Sequence, residues 1–286
     1  MAEPGMKCRR GFMTLQPHDD GLVIPEVGPW AKRKYHFLGR YLHAFTKAMR
    51  EKWDELHFID LFAGAGYAQI RTTNEIVFSS TILAATRIHP FTQIHACDRD
   101  PTKLGALKAR LGKLKLTKPP HLILGDANTV IDSLIQSIPR QGALCVTFAD
   151  PYGLHFDFET VKKIAALKSD LILLFADKMD ALRNWEDHYR DNPSSSLDKF
   201  IGEPDWREVL ATSPADHKAE RLRKRYMKRL KTECGYEFFD DHIRVQNSHG
   251  QDLYSLVFAS KSPAGLTIWR GISIIDEGGQ RELPFM

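Results

Sequence analysis

Five short apolar runs punctuate the first two-thirds of the chain, at 57–62, 92–97, 121–124, 143–149 and 170–176. Each ends at a glycine, a proline or an acid, as buried strands do. Helical spacings lie around and between them. Tyr35, Leu38, Leu42, Phe45 and Met49 predict a helix over 30–53, and Leu104, Leu107, Leu111 and Leu114 mark another. Further helices are expected at about 81–88, 129–138 and 158–168. This alternation predicts an α/β fold with a doubly wound, mostly parallel Rossmann-like sheet. Strand patterns at 236–247 and 252–260 add a C-terminal antiparallel hairpin. Residues 1–29, with four prolines, read as an extended arm, and 67–79 as a loop of about a dozen residues. Residues 183–216 are polar and read as an insertion or lid, and 271–286 as a tail. The main domain is then 30–182 together with 217–270.

The first run ends in Asp60-Leu61-Phe62-Ala63-Gly64-Ala65-Gly66. Two glycines after a buried strand permit positive φ and let a ligand approach the backbone. In such sheets the ligand crevice lies beyond the carboxyl ends of the strands. A dinucleotide fingerprint would place a third glycine where Gln69 stands, which disfavours a nicotinamide oxidoreductase. The Asp60-x-x-x-Gly64-x-Gly66 spacing resembles the opening of S-adenosylmethionine methyltransferases, which places Asp60, Phe62, Ala63, Gly64 and Gly66 in the cofactor site. Asp98 ends the second run, where an acid can accept both ribose hydroxyls; its other reading is a cap for a helix opened by Pro101. Asp126 and Ala127 follow the third run, suited to the adenine or to an Asx turn capping the next helix.

The fourth run enters Asp150-Pro151-Tyr152-Gly153. This resembles the Asp-Pro-Pro-Tyr signature of methyltransferases that modify exocyclic amines of bases, and Asp-Pro-Phe-Gly stands at the equivalent place in tRNA guanine-N2 dimethyltransferases. The chemistry suits these residues. An amine must aim its lone pair at the methyl group, and a carboxylate and the Pro151 carbonyl can accept its hydrogens as positive charge develops. Tyr152 would stack on a flat base. Cytosine-C5 methyltransferases share Asp-Leu-Phe-Ala-Gly but need a Pro-Cys nucleophile, and none of the four cysteines follows a proline. Asp177, Lys178 and Asp180, after the fifth run, are expected in a solvent-exposed turn.

Net charge is +4, too small by itself to name a partner. Locally it is uneven. Residues 217–231 hold eight lysines and arginines against Glu220 alone, with Leu222, Tyr226 and Leu230 as an apolar stripe. Either this is a solvated face, or Arg221, Arg225 and Lys228 meet a polyanion such as nucleic acid. The scattered cysteines suggest buried thiols and neither a metal site nor a disulfide framework. No signal peptide or membrane-length apolar run is evident, so a cytoplasmic protein is expected.

Taken together, the chain resembles the three-Cys-motif partner protein (TcmP) family over most of residues 25–270. The resemblance rests on Pro25-Glu26-Val27-Gly28-Pro29-Trp30 with Lys34, the Asp60–Gly66 turn, Gly125-Asp126-Ala127-Asn128, Asp150-Pro151-Tyr152-Gly153-Leu154 and the run from Leu253 to Lys261. It implies a bacterial methyltransferase-like protein and a genomic partner bearing a three-cysteine motif, similar to radical S-adenosylmethionine enzymes. Two functions compete: a methyltransferase acting on the exocyclic amine of a base or nucleotide, and a non-catalytic methyltransferase-like partner of that protein.

Overall fold

A computed structural model describes residues 16–273 except 152, 193, 204, 215–216 and 248–249. Apolar β-formers become strands and the helical spacings become helices, in an order close to that expected. The chain opens with β1 (Glu26–Val27), α1 (Ala31–Met49), β2 (Glu55–Asp60), β3 (Tyr67–Ile70), β4 (Ile76–Phe78) and α2 (Ser80–Ala85). It continues through β5 (Gln93–Asp98), α3 (Pro101–Leu111), β6 (His121–Leu124), α4 (Ala127–Gln136), β7 (Ala143–Ala149), α5 (Phe158–Ile164) and β8 (Ser169–Phe175). Two π-helical turns, Asp177–Leu182 and Trp185–Tyr189, lead to α6 (Ser196–Ile201), α7 (Trp206–Thr212) and α8 (Lys218–Cys234). Strands β9 (Phe238–Gln246) and β10 (Asp252–Ser260) and helix α9 (Pro263–Ser273) follow.

The seven-stranded sheet runs β6-β5-β2-β7-β8-β10-β9. Its first five strands are parallel, and β10 is antiparallel to both its neighbours. The hairpin therefore enters the sheet by its second strand. This is the doubly wound, methyltransferase-like Rossmann architecture. Strand order reverses between β2 and β7, so the crevice expected in an open α/β sheet falls beyond the carboxyl ends of β2, β5, β6 and β7.

Helix α1 lies on the sheet through Phe37, Leu38, Tyr41, Leu42 and Phe45, all buried. The hydroxyls of Tyr41 and Ser260 both donate to the buried Asp170 carboxylate at 2.5 Å, joining α1 and β10 to β8. Burial raises the pKa of that carboxyl, partly offset by these two donors.

Two expectations need correcting. Residues 67–79 are not a plain loop: β3 and β4 pair antiparallel, Asn74 takes a positive φ at their turn, and the arm adds β1 parallel to β3. Asp177 is not in an exposed turn either, since it is 1% exposed and ion-paired to Arg223 of α8. Within 183–216, Leu197, Phe200, Ile201, Trp206 and Leu210 are buried in the main core, and none of the described residues there lines the cavity described below. The tail from 274 on lies outside the described residues, while 271–273 complete α9.

Candidate active site

A cavity of about 390 Å³ opens at the carboxyl ends of the parallel strands, within the size range of small-molecule sites. Its floor is the turn after β2. Gly64 has φ +62°, and a Cβ there would meet nothing within 4 Å, so a ligand can approach that backbone closely. Phe62, Ala63, Gly64 and Ala65 all line the cavity. Arg110 of α3, 2% exposed, holds the turn from behind by donating to the Ala65 carbonyl at 2.7 Å. The same guanidinium binds Asp20 of the arm at 2.6 Å, and its hydrogen bonds hold the Asp20 carboxyl down to about 2. The arm is thereby drawn in, and Pro25 and Val27 line one wall.

Asp98 lines the cavity beside this turn, and its Oδ2 accepts the Gly64 N–H at 2.7 Å while Oδ1 accepts the Asp100 N–H at 2.9 Å. The helix cap is Asp100, which accepts from Thr102 and Lys103, so Asp98 is not used as the cap. Asp126 caps α4 through the Asn128 N–H at 2.8 Å, as one of its readings expects, and with Ala127 it also lines the cavity. Asp150 lines the opposite side together with Tyr35 and His155. Its Oδ2 is ion-paired to Lys34 of α1, which is 7% exposed. Burial alone would lower the Lys34 pKa, but the Asp150 charge outweighs it and the ammonium is held charged. Oδ1 of Asp150 has no protein partner among the described residues.

Some expected site residues lie elsewhere. Asp60 is fully buried beneath the cavity and does not line it, accepting from the Thr81 hydroxyl at 2.6 Å and tying β2 to α2. Burial pushes its carboxyl up to about 6, with the Ser80 and Thr81 hydroxyls opposing. Gly66 also stands back from the cavity. Its φ is +88°, and a Cβ would press on Ile82 and Leu107 at 3.0 Å, so glycine is needed there for the turn and its packing. Pro151 is buried and does not line the cavity; Tyr152 lies outside the described residues. Arg221, Arg225 and Lys228 are remote from the cavity, and Arg225 is ion-paired to Glu203 and Asp205.

Sequence reasoning missed Tyr35, Ser79, Ser80, Lys103 and His155 as lining residues. Ser79 stands at the N-cap of α2, yet its side chain makes no cap and its buried Oγ has no hydrogen-bond partner. Oδ1 of Asp60 is likewise without a partner. An orphaned hydroxyl on the lining Ser79, an orphaned oxygen on Asp60 beneath it, an open glycine turn and three lining carboxylates fit a polar, zwitterionic adenosyl ligand.

No family model and no curated protein matches the sequence. Solved structures similar to the chain include several O-methyltransferases. One is the O-methyltransferase from Bacillus cereus in complex with SAH, at 11% identity and TM-score 0.45, covering 84% of this chain and 85% of that one. A putative O-methyltransferase from Klebsiella pneumoniae is 13% identical, with TM-score 0.42 and coverage of 81% and 90%. The O-methyltransferase TomG from Streptomyces achromogenes, in complex with SAM, is 13% identical, with TM-score 0.43 and coverage of 78% and 79%. The strand order of this chain is by itself that of a doubly wound α/β sheet.

Proposed function

We propose that this chain is an S-adenosylmethionine-dependent methyltransferase that methylates an exocyclic amine of a nucleic acid base or nucleotide. The observation that carries the reading is the convergence of Gly64, Asp98, Asp126 and Asp150 on one cavity. S-adenosylmethionine supplies a methyl group on a sulfonium. Asp98 suits the ribose: an ionised carboxylate has about four acceptor positions, and backbone N–H groups fill one on each oxygen. One acceptor per oxygen is left for the two hydroxyls, and the carboxylate is already aimed. Asp126 and Ala127 suit the adenine, and Ser79 the amino-acid end, with Asp60 buried beneath it. Asp150 then takes the acceptor side. Lys34 fixes its Oδ2, and Oδ1 is left to accept an amine hydrogen as charge develops on nitrogen.

The same ion pair supports a second reading, a non-catalytic partner of a three-Cys-motif protein, because a lysine-bound carboxylate is a weaker acceptor. The two separate on Asp150→Ala with radiolabelled S-adenosylmethionine and pooled RNA and DNA. The methyltransferase reading expects unchanged cofactor affinity and methyl transfer lowered about 100-fold, as for loss of one preorganised transition-state hydrogen bond. Transfer by wild type and variant at equal rates would remove Asp150 from catalysis. Cofactor binding with no transfer by wild type would favour the partner reading.

A further inference from the structure

We infer that the outer flank of α1 is a track for the phosphate backbone of a single-stranded nucleic acid, which leads to the cavity. This deepens the methyltransferase reading and rests on it only for the use made of the bound strand.

Helix α1 contains no acidic residue. Arg40, His43 and Lys47, with Arg50 just past its end, fall at spacings of three and four and so share one face. They extend over roughly 15 Å at the helical rise of 1.5 Å per residue. The end of α2 adds to the same surface. Arg87 donates to the Gly39 carbonyl at 3.1 Å, Arg50 lies 2.7 Å from His89 Nδ1, and the His43 and His89 rings stack 6.5 Å apart. Arg40, Lys47 and Arg87 have no ion pair among the described residues, and the one acid on the patch is the exposed Glu51, against Arg50. The crowding is felt by His89, whose pKa is lowered by desolvation and then by Arg50, His43 and Lys47.

Helix α8, the stronger basic signal in the sequence, is different. Arg223 binds Asp177 and Asp241, Arg225 binds Glu203 and Asp205, Arg229 binds Glu233, and Lys224 binds Glu220. Arg221, Lys228 and Lys231 stay exposed, but with these acids alongside, and α8 supplies nothing to the cavity. The first turn of α1 places Lys34 on Asp150 and Tyr35 in the cavity wall, so one helix serves both track and site. Cations spaced along a groove, interleaved with flat rings, are what a single strand needs. A membrane surface would ask for apolar side chains to insert, and only Ile88, 73% exposed, offers one on this patch.

The test is fluorescence anisotropy with labelled mixed-sequence single-stranded RNA and DNA over a salt series. Wild type should bind at low salt, with a log–log salt slope of about −2 if Arg40, Lys47 and Arg50 each meet a phosphate. Arg40→Glu/Lys47→Glu should bind at least ~10-fold more weakly, and the milder Lys47→Gln/Arg50→Gln should reduce the slope. Lys228→Glu/Lys231→Glu should bind as wild type does. No binding at about 50 mM salt, an equal loss in the α8 variant, or a preference for phosphatidylserine vesicles over both oligonucleotides would overturn the track. Calorimetry with S-adenosylhomocysteine on the same proteins separates the two readings. Failure of the track alone leaves that binding intact, whereas oligonucleotide binding without it would sustain the track and sink the methyltransferase reading.

Discussion

The two ends of the parallel sheet use the same three strands in opposite ways. β2, β5 and β6 carry His57, His95 and His121 toward their amino ends, and Asp60, Asp98 and, just past the strand, Asp126 at their carboxyl ends. The histidines close on one another. Glu55 lies 2.8 Å from His57 Nε2, His57 Nδ1 lies 2.9 Å from His95 Nε2, and His95 Nδ1 lies 3.2 Å from His121 Nδ1. One proton assignment satisfies the row: His57 donates to Glu55, His95 to His57 and His121 to His95, all three rings neutral. At the other end Asp98 and Asp126 line a cavity, and Asp60 beneath it keeps an unpartnered Oδ1. A row of titratable groups becomes a ligand site where partners are missing, and a structural pin where they are complete.

The largest effect should come from the support of the cavity end. Arg110→Met leaves Asp20 with only Lys113, at 3.8 Å, and releases the Ala65 carbonyl. Breaking a buried pair from one side costs about 3–5 kcal/mol, so the urea midpoint should fall clearly, and the arm should become a protease target. An unmoved midpoint would mean that the arm contributes nothing to stability.

A smaller and slower change should appear on acidification, and it dates the two ends separately. Burial holds His95 down to about 3 and lowers His57 as well. Their neutral forms favour the folded state, so this contribution is complete above the ordinary histidine value of 6.5 and drains away as pH falls toward 3. Asp20, held near 2, contributes above 3.8 and loses that only between 3.8 and 2. Asp60 acts the other way. Its raised value favours folding below 3.8, a contribution lost as pH rises through about 6. Denaturation followed against pH should therefore show His95→Gln flattening the fall between pH 6.5 and 3 and leaving the later one. A His95→Gln curve with the same fall as wild type over that upper window would contradict the closed histidine row.

The sheet was legible because its signals are local. The strands at 121–124 and 143–149 stand where the apolar runs end, and Gly64, Asp98 and Asp126 could be placed from position at strand ends alone. The hairpin at 67–78 was hidden because its strands are three and four residues long and its turn, Thr72-Thr73-Asn74, looks like any loop. Ion pairs that join distant parts of the chain leave no period to read. Lys34 meets Asp150 across 116 residues and Arg110 meets Asp20 across 90. The ion pairs of the basic run in α8 were hidden for the same reason, since Arg223 turns inward to Asp177, 46 residues away.

The central claim is that the carboxyl-end cavity binds an adenosyl cofactor through Asp98. Isothermal titration of S-adenosylhomocysteine into wild type, Asp98→Ala and Asp150→Ala tests it most directly. Asp98 would contribute two hydrogen bonds to a charged acceptor, each worth about 1.5–3 kcal/mol, so Asp98→Ala should bind at least ~100-fold more weakly, with Asp150→Ala close to wild type. Wild-type protein giving no binding heat and no shift in melting temperature, or Asp98→Ala binding as tightly as wild type, would contradict it.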